Sequence, residues 1–332
     1  MTGTFGKFVL AFVALLFALA VLEFAARFQV QVHPAAKKPA YIPHPHLVYT
    51  GNPNAKHNRD GFLGRKRSLE KPSNTVRVAC LGASTTYGIF NWPRHLRVLL
   101  NDDSDADRRS YEVFNFGMPG YTSLESLINL AINVQDYKID YLVIHHALND
   151  LMPRLYPEME RDYRHFRKIY RPMGPVDRFL TSHSALFVFV SRRLGVRHSL
   201  AHATMTVNDS NPKNPFQPDS LNPDSRVFRR NLETIVTIAQ STGMRPVLTT
   251  MPYSLDPSKL PGDWAISHEV KVAGMLEHNA IIREVAADRD VLLVDLDRQM
   301  TGNEGYFIDH IHCDGTGRIK KAELIAAALR RP

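Results

Sequence analysis

The sequence predicts an α/β protein, a three-layer α/β/α sandwich around a mainly parallel five-stranded sheet, preceded by an N-terminal transmembrane helix. Three observations carry this expectation. Five short apolar runs of strand length alternate with helical segments, the pattern of a parallel sheet covered on both faces. The first three runs each lead into a polar motif, and loops at the carboxyl ends of strands are where such sheets carry their sites. Finally, Phe8–Leu22 is a stretch of fifteen apolar residues without interruption.

That stretch comes first along the chain. As a helix, Phe8–Ala26 would span roughly 28 Å, close to the thickness of a bilayer's hydrocarbon core. A cleaved signal peptide is the competing reading, with Ala18-Leu19-Ala20 as its Ala-x-Ala site. The apolar run continues past that site, and Glu23 and Arg27 look like an interfacial border, so an uncleaved anchor is favoured over residues 1–28. A buried core helix is disfavoured because the run is apolar on every face. Residues 29–74 carry prolines and histidines but few apolar runs, and read as a tether or arm wrapping the domain. Within it, Asn58-Arg59-Asp60-Gly61-Phe62-Leu63-Gly64 is a turn-rich element.

The main domain is expected over 75–332. Val76–Leu81 is its first strand, and Trp92-Pro93 opens a helix through Leu100, with proline suited to a first turn. Tyr111–Phe116 and Tyr141–His146 are the next strands, joined by a helix from Ser123 to Tyr137. Thr122-Ser123-Leu124-Glu125 reads as a capping box at that helix's start. Arg226–Gln240 is a helix with apolar residues at Val227, Leu232, Ile235, Val236 and Ile238. Arg245–Met251 is a strand, Glu269–Ala287 a helix and Val291–Leu296 the last strand. Thr316–Leu329 closes the chain as a helix with Thr316 as N-cap.

Residues 151–225 interrupt this rhythm as an insertion. Tyr156, Tyr163 and Tyr170 recur every seven residues, with Phe166, Arg161, Arg164, Arg167 and Lys168 among them. On a helix the tyrosines would share one face, lining a cleft or, as we favour, packing the insertion onto the core. Asn208–Ser225 contains Pro212, Pro215, Pro218 and Pro223 and is too proline-rich for regular structure. Because the insertion follows the third motif directly, it is the expected element of substrate selection.

Four short motifs stand in order: Gly82-Ala83-Ser84-Thr85-Thr86, Asn115 to Ser123 with Gly117 and Gly120, Ala147-Leu148-Asn149-Asp150, and Asp309-His310-Ile311-His312. Each has a plain structural reading. Ser84 suits a helix N-cap, Gly117 and Gly120 suit a turn, and Asn149 suits a turn. His310 and His312 suit a strand end. Together and in this order, the motifs resemble the SGNH (GDSL-type) hydrolases, named for their Ser, Gly, Asn and His residues. The resemblance covers roughly Val76 to Ala327. It implies that Ser84 is the nucleophile, that Gly120 and Asn149 are the second- and third-block residues, and that Asp309 and His312 are the Asp-x-x-His pair. Ala83 and Thr85 depart from the GDSL spelling, and Ala147 stands where glycine is common in the third block.

The chemistry fits those residues. A serine hydroxyl needs a base within hydrogen-bond reach, and His312 is the candidate, held in the correct tautomer by Asp309. Charge developing on an ester oxygen needs donors already in place. The backbone N–H groups of Ser84 and Gly120 and the Asn149 amide are the candidates, each worth about 3–4 kcal/mol to the transition state. Activity should fall below about pH 6–7, where an ordinary histidine protonates. The implied reaction is hydrolysis of acetyl or short acyl esters of carbohydrate or lipid through an acyl-enzyme. An O-acetyltransferase would use the same triad, and a non-catalytic glycan-binding module would retain only the fold.

Other enzyme classes fit worse. His310-Ile311-His312-Cys313-Asp314 lacks the further histidine of a metallo-hydrolase zinc signature, since Gly315 stands there. The Gly-x-Ser-x-Gly elbow fails at Thr86, and no Gly-x-Gly-x-x-Gly follows a predicted strand. No cofactor or metal is expected. Two cysteines far apart, Cys80 and Cys313, make no disulfide framework, and Cys80 reads as a small buried hydrophobe. The net charge of +8 comes without a basic run long enough to argue nucleic-acid binding. The positive charges at the two ends of the apolar stretch balance, so orientation rests on resemblance to anchored family members, which places the catalytic domain outside the cytoplasm.

Overall fold

The computed structural model describes residues 2–30, 40–64, 68–88, 91–102, 109–167, 174–193, 213–261 and 266–330. The chain forms two compact units, one of Met1–Ile42 with Arg171–Ala203 and the other of Pro43–Tyr170 with Thr204–Pro332.

The first unit contains α1 (Thr2–Arg27), the apolar helix expected at the N-terminus. Its Thr4–Arg27 stretch is long and apolar enough to cross a membrane, and its most apolar window buries no side chain within the protein. Near its end Glu23 accepts hydrogen bonds from the Ser184 hydroxyl at 2.8 Å and from the N–H groups of Ala185 and Leu186 at 2.9 and 3.0 Å. These are unsatisfied donors at a helix start, where a carboxylate is favoured. Arg27 pairs with Glu23 at 3.0 Å and also donates to the His183 carbonyl. Glu23 and Arg27 thus bind α1 to elements of the insertion rather than standing free at a border.

The second unit carries the sheet. Two three-residue strands, β1 (Tyr41–Pro43) and β2 (Tyr49–Gly51), precede it in the chain. The main strands are β3 (Thr75–Gly82), β4 (Ser110–Asn115), β5 (Tyr141–His145), β6 (Arg245–Thr249) and β7 (Leu292–Val294). They lie in the order β4-β3-β5-β6-β7, all parallel. The crossing helices are α2 (Trp92–Asp102), α3 (Ser123–Ile132), α6 (Arg226–Ser241), α7 (His268–Asp288) and α9 (Gly315–Leu329), with a short α8 (Leu296–Met300). Between them in chain order, α4 (Pro175–His183) and α5 (Ala185–Arg193) belong to the first unit.

Strand alternation sorts the core into two layers. Ala79, Leu81, Leu142, Ile144 and Leu248 pack with α3, α6 and α7 residues such as Leu130, Ile235 and Ile282. Val78, Cys80, Val143 and Val247 point the other way, onto Leu96 of α2 and Ile325 of α9. Burial on both faces explains why these strands read as continuous apolar runs instead of alternating ones. Register aligns the carboxyl ends, with Cys80 beside Asn115 and Gly82 beside His145. The chain reverses direction across the sheet between β3 and β5, and open sheets bind ligands at such a switch point.

Several element boundaries differ from expectation for local reasons. The strand expected to reach Leu296 ends at Val294, because Asp295 caps α8 by accepting from the Arg298 N–H. The helix expected to Tyr137 ends at Ile132, and a 3-10 turn covers Val134–Tyr137. Asp314, not Thr316, caps α9, accepting from the Gly317 N–H at 2.7 Å, while the Thr316 hydroxyl donates to the same carboxylate.

The heptad of tyrosines makes no helix. Tyr156 is extended after a 3-10 turn, Tyr163 sits in a turn with φ of 59°, and Tyr170 lies outside the described residues, as does Lys168. Both described tyrosines are fully buried, so their role is packing. The residues before the sheet also enter the core: the Phe62 ring lies 4.5 Å from that of Phe116 and 5.8 Å from that of Tyr137.

Candidate active site

Gly82 ends β3, and the chain then turns tightly, with the N–H groups of Thr86 and Tyr87 both donating to the Ala83 carbonyl. Ser84 is half-buried between buried neighbours. The turn is held from outside by Asn91, whose amide donates to the Thr85 and Tyr87 carbonyls at 3.0 and 2.7 Å, and by Asn115, which donates to the Thr86 carbonyl at 2.8 Å.

On the opposite side, Phe307 and Cys313 bridge and close a loop around 308–312. Within it Asp309 accepts from the N–H groups of Ile311 and His312 at 2.9 and 2.7 Å. Its other oxygen faces His312 Nδ1 at 2.7 Å, and His312 Nε2 lies 2.8 Å from Ser84 Oγ. Burial alone would raise the Asp309 carboxyl. The His312 ring and the two backbone donors outweigh it and hold the group well below the usual carboxylate range. An ionised carboxylate only accepts, so Nδ1 carries the proton and Nε2 is left to accept from the Ser84 hydroxyl.

The loop after β4 packs directly on the Ser84 turn. The Phe116 N–H donates to the Cys80 carbonyl and the Met118 N–H to the Gly82 carbonyl. A Cβ on Gly117 would lie 2.7 Å from the Tyr87 nitrogen and 2.8 Å from Thr86 Cβ, so only glycine permits this approach. Gly120 has φ of 77°, the left-handed region that glycine adopts without strain. Asn149 follows β5 and donates from its side-chain amide to the Tyr121 carbonyl at 2.9 Å, which leaves its second N–H for another acceptor. Ser84, His312 and Asp309 are therefore in direct hydrogen-bonded sequence, and Asn149 is tied to the residue after Gly120.

Three contributors carried no assigned role in the sequence reading. Tyr49 donates from its hydroxyl to the Pro119 carbonyl, and Tyr121 donates back to the Tyr49 carbonyl, bracing the Gly120 loop from β2. Asp150 is fully buried and accepts from Ser123 N–H at 2.9 Å, Ser123 Oγ at 2.6 Å and the Tyr163 hydroxyl at 3.3 Å. It joins the third motif to the first turn of α3, and desolvation, only partly offset by the Ser123 bonds, pushes it up to about 7. His278 is fixed as neutral between the Arg154 guanidinium and the Ala147 carbonyl. Asp150 stood visibly in the third motif as a charge after an apolar run; Tyr49 and His278 left no local signal.

His145 and His146 have structural places. His145 lies between Thr249 Oγ1 at 2.7 Å and Lys321 Nζ at 3.0 Å, and His146 pairs with Ser126 Oγ at 2.7 Å. His310, His312 and Asp314 do not converge: His312 faces Ser84 and Asp309, while Asp314 caps a helix. Cys80 and Cys313 are buried free thiols.

Two cavities adjoin Ser84. A recess of about 30 Å³ is lined by Ser84, Asn149, His146, Leu148, Met251 and Ile311 among others. A wider cleft of about 530 Å³ opens on the other side, between Ser84, His312, Tyr87, Leu63 and Ile308. Among the described residues, neither lining includes one from the insertion.

Residues 80–318 match the model of the GDSL-like lipase/acylhydrolase family. Among solved structures, a GDSL-like lipase from Bacteroides thetaiotaomicron is 16% identical, with 76% of this chain and 87% of that one covered and a TM-score of 0.44. A lipase/acylhydrolase from Enterococcus faecalis is 17% identical over 76% and 95%, with a TM-score of 0.47. An acetylxylan esterase from Geobacillus stearothermophilus is 12% identical over 77% and 95%, with a TM-score of 0.46. No curated protein sequence matches the chain. The family model spans well over half of the chain, and on that match the chain belongs to the GDSL-like lipase/acylhydrolase family, serine hydrolases that act on ester bonds.

Proposed function

We propose that this protein is an esterase that removes a short acyl group, acetyl foremost, from a carbohydrate or lipid alcohol through an acyl-enzyme on Ser84. The observation that carries the reading is the continuous chain from Ser84 Oγ to His312 to Asp309, at 2.8 and 2.7 Å. His312 Nε2 takes the hydroxyl proton as Oγ attacks the carbonyl carbon, and Asp309 stabilises the imidazolium. The N–H groups of Ser84 and Gly120 and the free N–H of Asn149 receive the oxyanion. His312 then delivers its proton to the departing alcohol, and a water repeats the sequence to release the acid.

The two cavities support a short acyl group. A recess of about 30 Å³ holds roughly two water-sized groups, which suits an acetyl group and excludes a long chain. The alcohol half then takes the larger cleft. In the same reading α1 anchors the enzyme in the cell membrane as a single span, with the second unit outside the cytoplasm.

The test uses the full chain in detergent micelles with p-nitrophenyl esters from acetyl to decanoyl. Acetyl turnover at least tenfold above octanoyl, lost in Ser84→Ala, is expected. A rate that rises with chain length would refute the short-acyl assignment. Adding glycerol or a sugar as acceptor separates the two fates of the acyl-enzyme: acetylated acceptor outpacing acetate would make the protein an O-acetyltransferase. Equal background in both proteins would favour a non-catalytic module.

A further inference from the structure

The cleft that receives the alcohol is electrostatically one-sided. Among the described residues its lining holds Lys56 and Arg318 and no carboxylate. Lys56 comes from the segment ahead of the sheet, and its Nζ lies 5.2 Å over the Tyr87 ring, which fixes the ammonium at the wall of the Ser84 turn. His57 beside it is held down to about 4, first by burial and second by Lys56, so it stays neutral and adds no charge. Arg318 projects from the first turn of α9, whose N-cap Asp314 already accepts from the Gly317 N–H and the Thr316 hydroxyl at 2.7 Å each. The rest of the lining is neutral: Leu63 and Ile308 supply apolar walls, and Thr85 and Asn91 supply polar ones.

We propose that the alcohol half of the substrate carries an anionic group, a phosphate or a carboxylate, held between Lys56 and Arg318 while its acyl ester meets Ser84. The inference rests on the Ser84 reading above and adds the charge class of the substrate. Two cations on a cleft whose described lining holds no acid favour an anion there. Arginine and lysine are also the side chains that grip oxyanions through charge-assisted hydrogen bonds. A cleft of about 530 Å³ falls within the usual size of small-molecule sites, enough for a glycerol phosphate or a uronic acid unit. A neutral acetylated sugar would bring neither cation an anionic partner from the substrate.

The experiment follows labelling of Ser84 by a neutral fluorophosphonate on the full chain in neutral detergent. Glycerol 3-phosphate and galacturonate are the competitors, with glycerol and galactose as their neutral counterparts. The anions should slow labelling at least fivefold at concentrations where the neutral compounds have no effect, and added salt should weaken the protection. Protection by phosphate alone would indicate a phospholipid-type or glycerol phosphate substrate, and protection by galacturonate alone an acidic glycan. In the Lys56→Gln/Arg318→Gln variant the difference between anions and neutral compounds should collapse. Anions that protect no better than their neutral counterparts would overturn the proposal, and this comparison needs no variant to fold. Absence of any labelling would instead refute the Ser84 reading. Calorimetric titration with the two anions, which needs no reactive serine, would then decide the inference separately.

Discussion

Asp150 links the two loops that carry Gly120 and Asn149, and it does so as a carboxyl group with no exposure to water. Its partners are the N–H and hydroxyl of Ser123 and the hydroxyl of Tyr163, and Asn231 donates in turn to Ser123 Oγ at 2.9 Å. Desolvation dominates and raises the group from 3.8 to about 7. Near pH 4 and below, both folded and unfolded chains hold this proton. Between pH 4 and 7 the folded chain keeps it and the unfolded chain releases it, so stability falls as pH rises. Above 7 the loss is complete. A difference of about three pH units at 1.36 kcal/mol each makes it about 4 kcal/mol. Asp150→Asn keeps the shape and mimics the protonated acid, so the variant lacks this slope. Thermal unfolding of both proteins from pH 4.5 to 8 is the assay. About 3 kcal/mol of this falls between pH 4.5 and 7, so the variant's melting temperature should gain on the parent by roughly 6–12 °C across the assay, at 2–4 °C per kcal/mol for a domain of this size. A constant difference between the two proteins would show that Asp150 is ionised in the fold and would refute the reasoning.

Three further outcomes follow from the site. Asn149→Ala removes one proposed oxyanion donor, and kcat should fall about 10²–10³-fold with KM little changed; a loss confined to KM would move Asn149 to ground-state binding. Gly117→Ala forces a Cβ to 2.7 Å from the Tyr87 nitrogen, so the variant should lose about 1–3 kcal/mol in denaturant unfolding together with activity, because the displaced backbone carries Ser84. Asp309 is held well below the usual carboxylate range and stays ionised from pH 5 upward, so Asp309→Asn should lower kcat by orders of magnitude at every pH; a variant matching the parent above pH 8 would remove Asp309 from the orienting role.

The sheet and the residues that meet in the Ser84–His312–Asp309 hydrogen-bonded sequence were legible because their signals are local. Strands buried on both faces write themselves as apolar runs, Ser84 and Asn149 stand just beyond β3 and β5, and His312 stands just ahead of α9. The capping box at Thr122 is likewise contained in four residues, and the Thr122 side chain does accept from the Leu124 N–H. What escaped depends on partners distant in the chain. Tyr49 reads as one more aromatic until its hydroxyl meets Pro119, and Asp150 stands in the third motif without a role until Ser123 and Tyr163 close around it. The tyrosine heptad misled because spacing alone cannot show that Tyr163 adopts a positive φ. At α9 two good capping residues compete, and Asp314 wins with Thr316 bonded to it. Nor could α5 be foreseen as the partner of Glu23, since 161 residues separate Glu23 from Ser184.

The acyl-enzyme itself is the most direct test. The full chain in detergent is mixed with p-nitrophenyl acetate, quenched in acid during turnover, digested and mapped by mass spectrometry. An acetyl group on the peptide containing Ser84, absent from Ser84→Ala, is the predicted result. Turnover without that adduct, or undiminished turnover by Ser84→Ala, would contradict the assignment of Ser84, His312 and Asp309 as the catalytic triad.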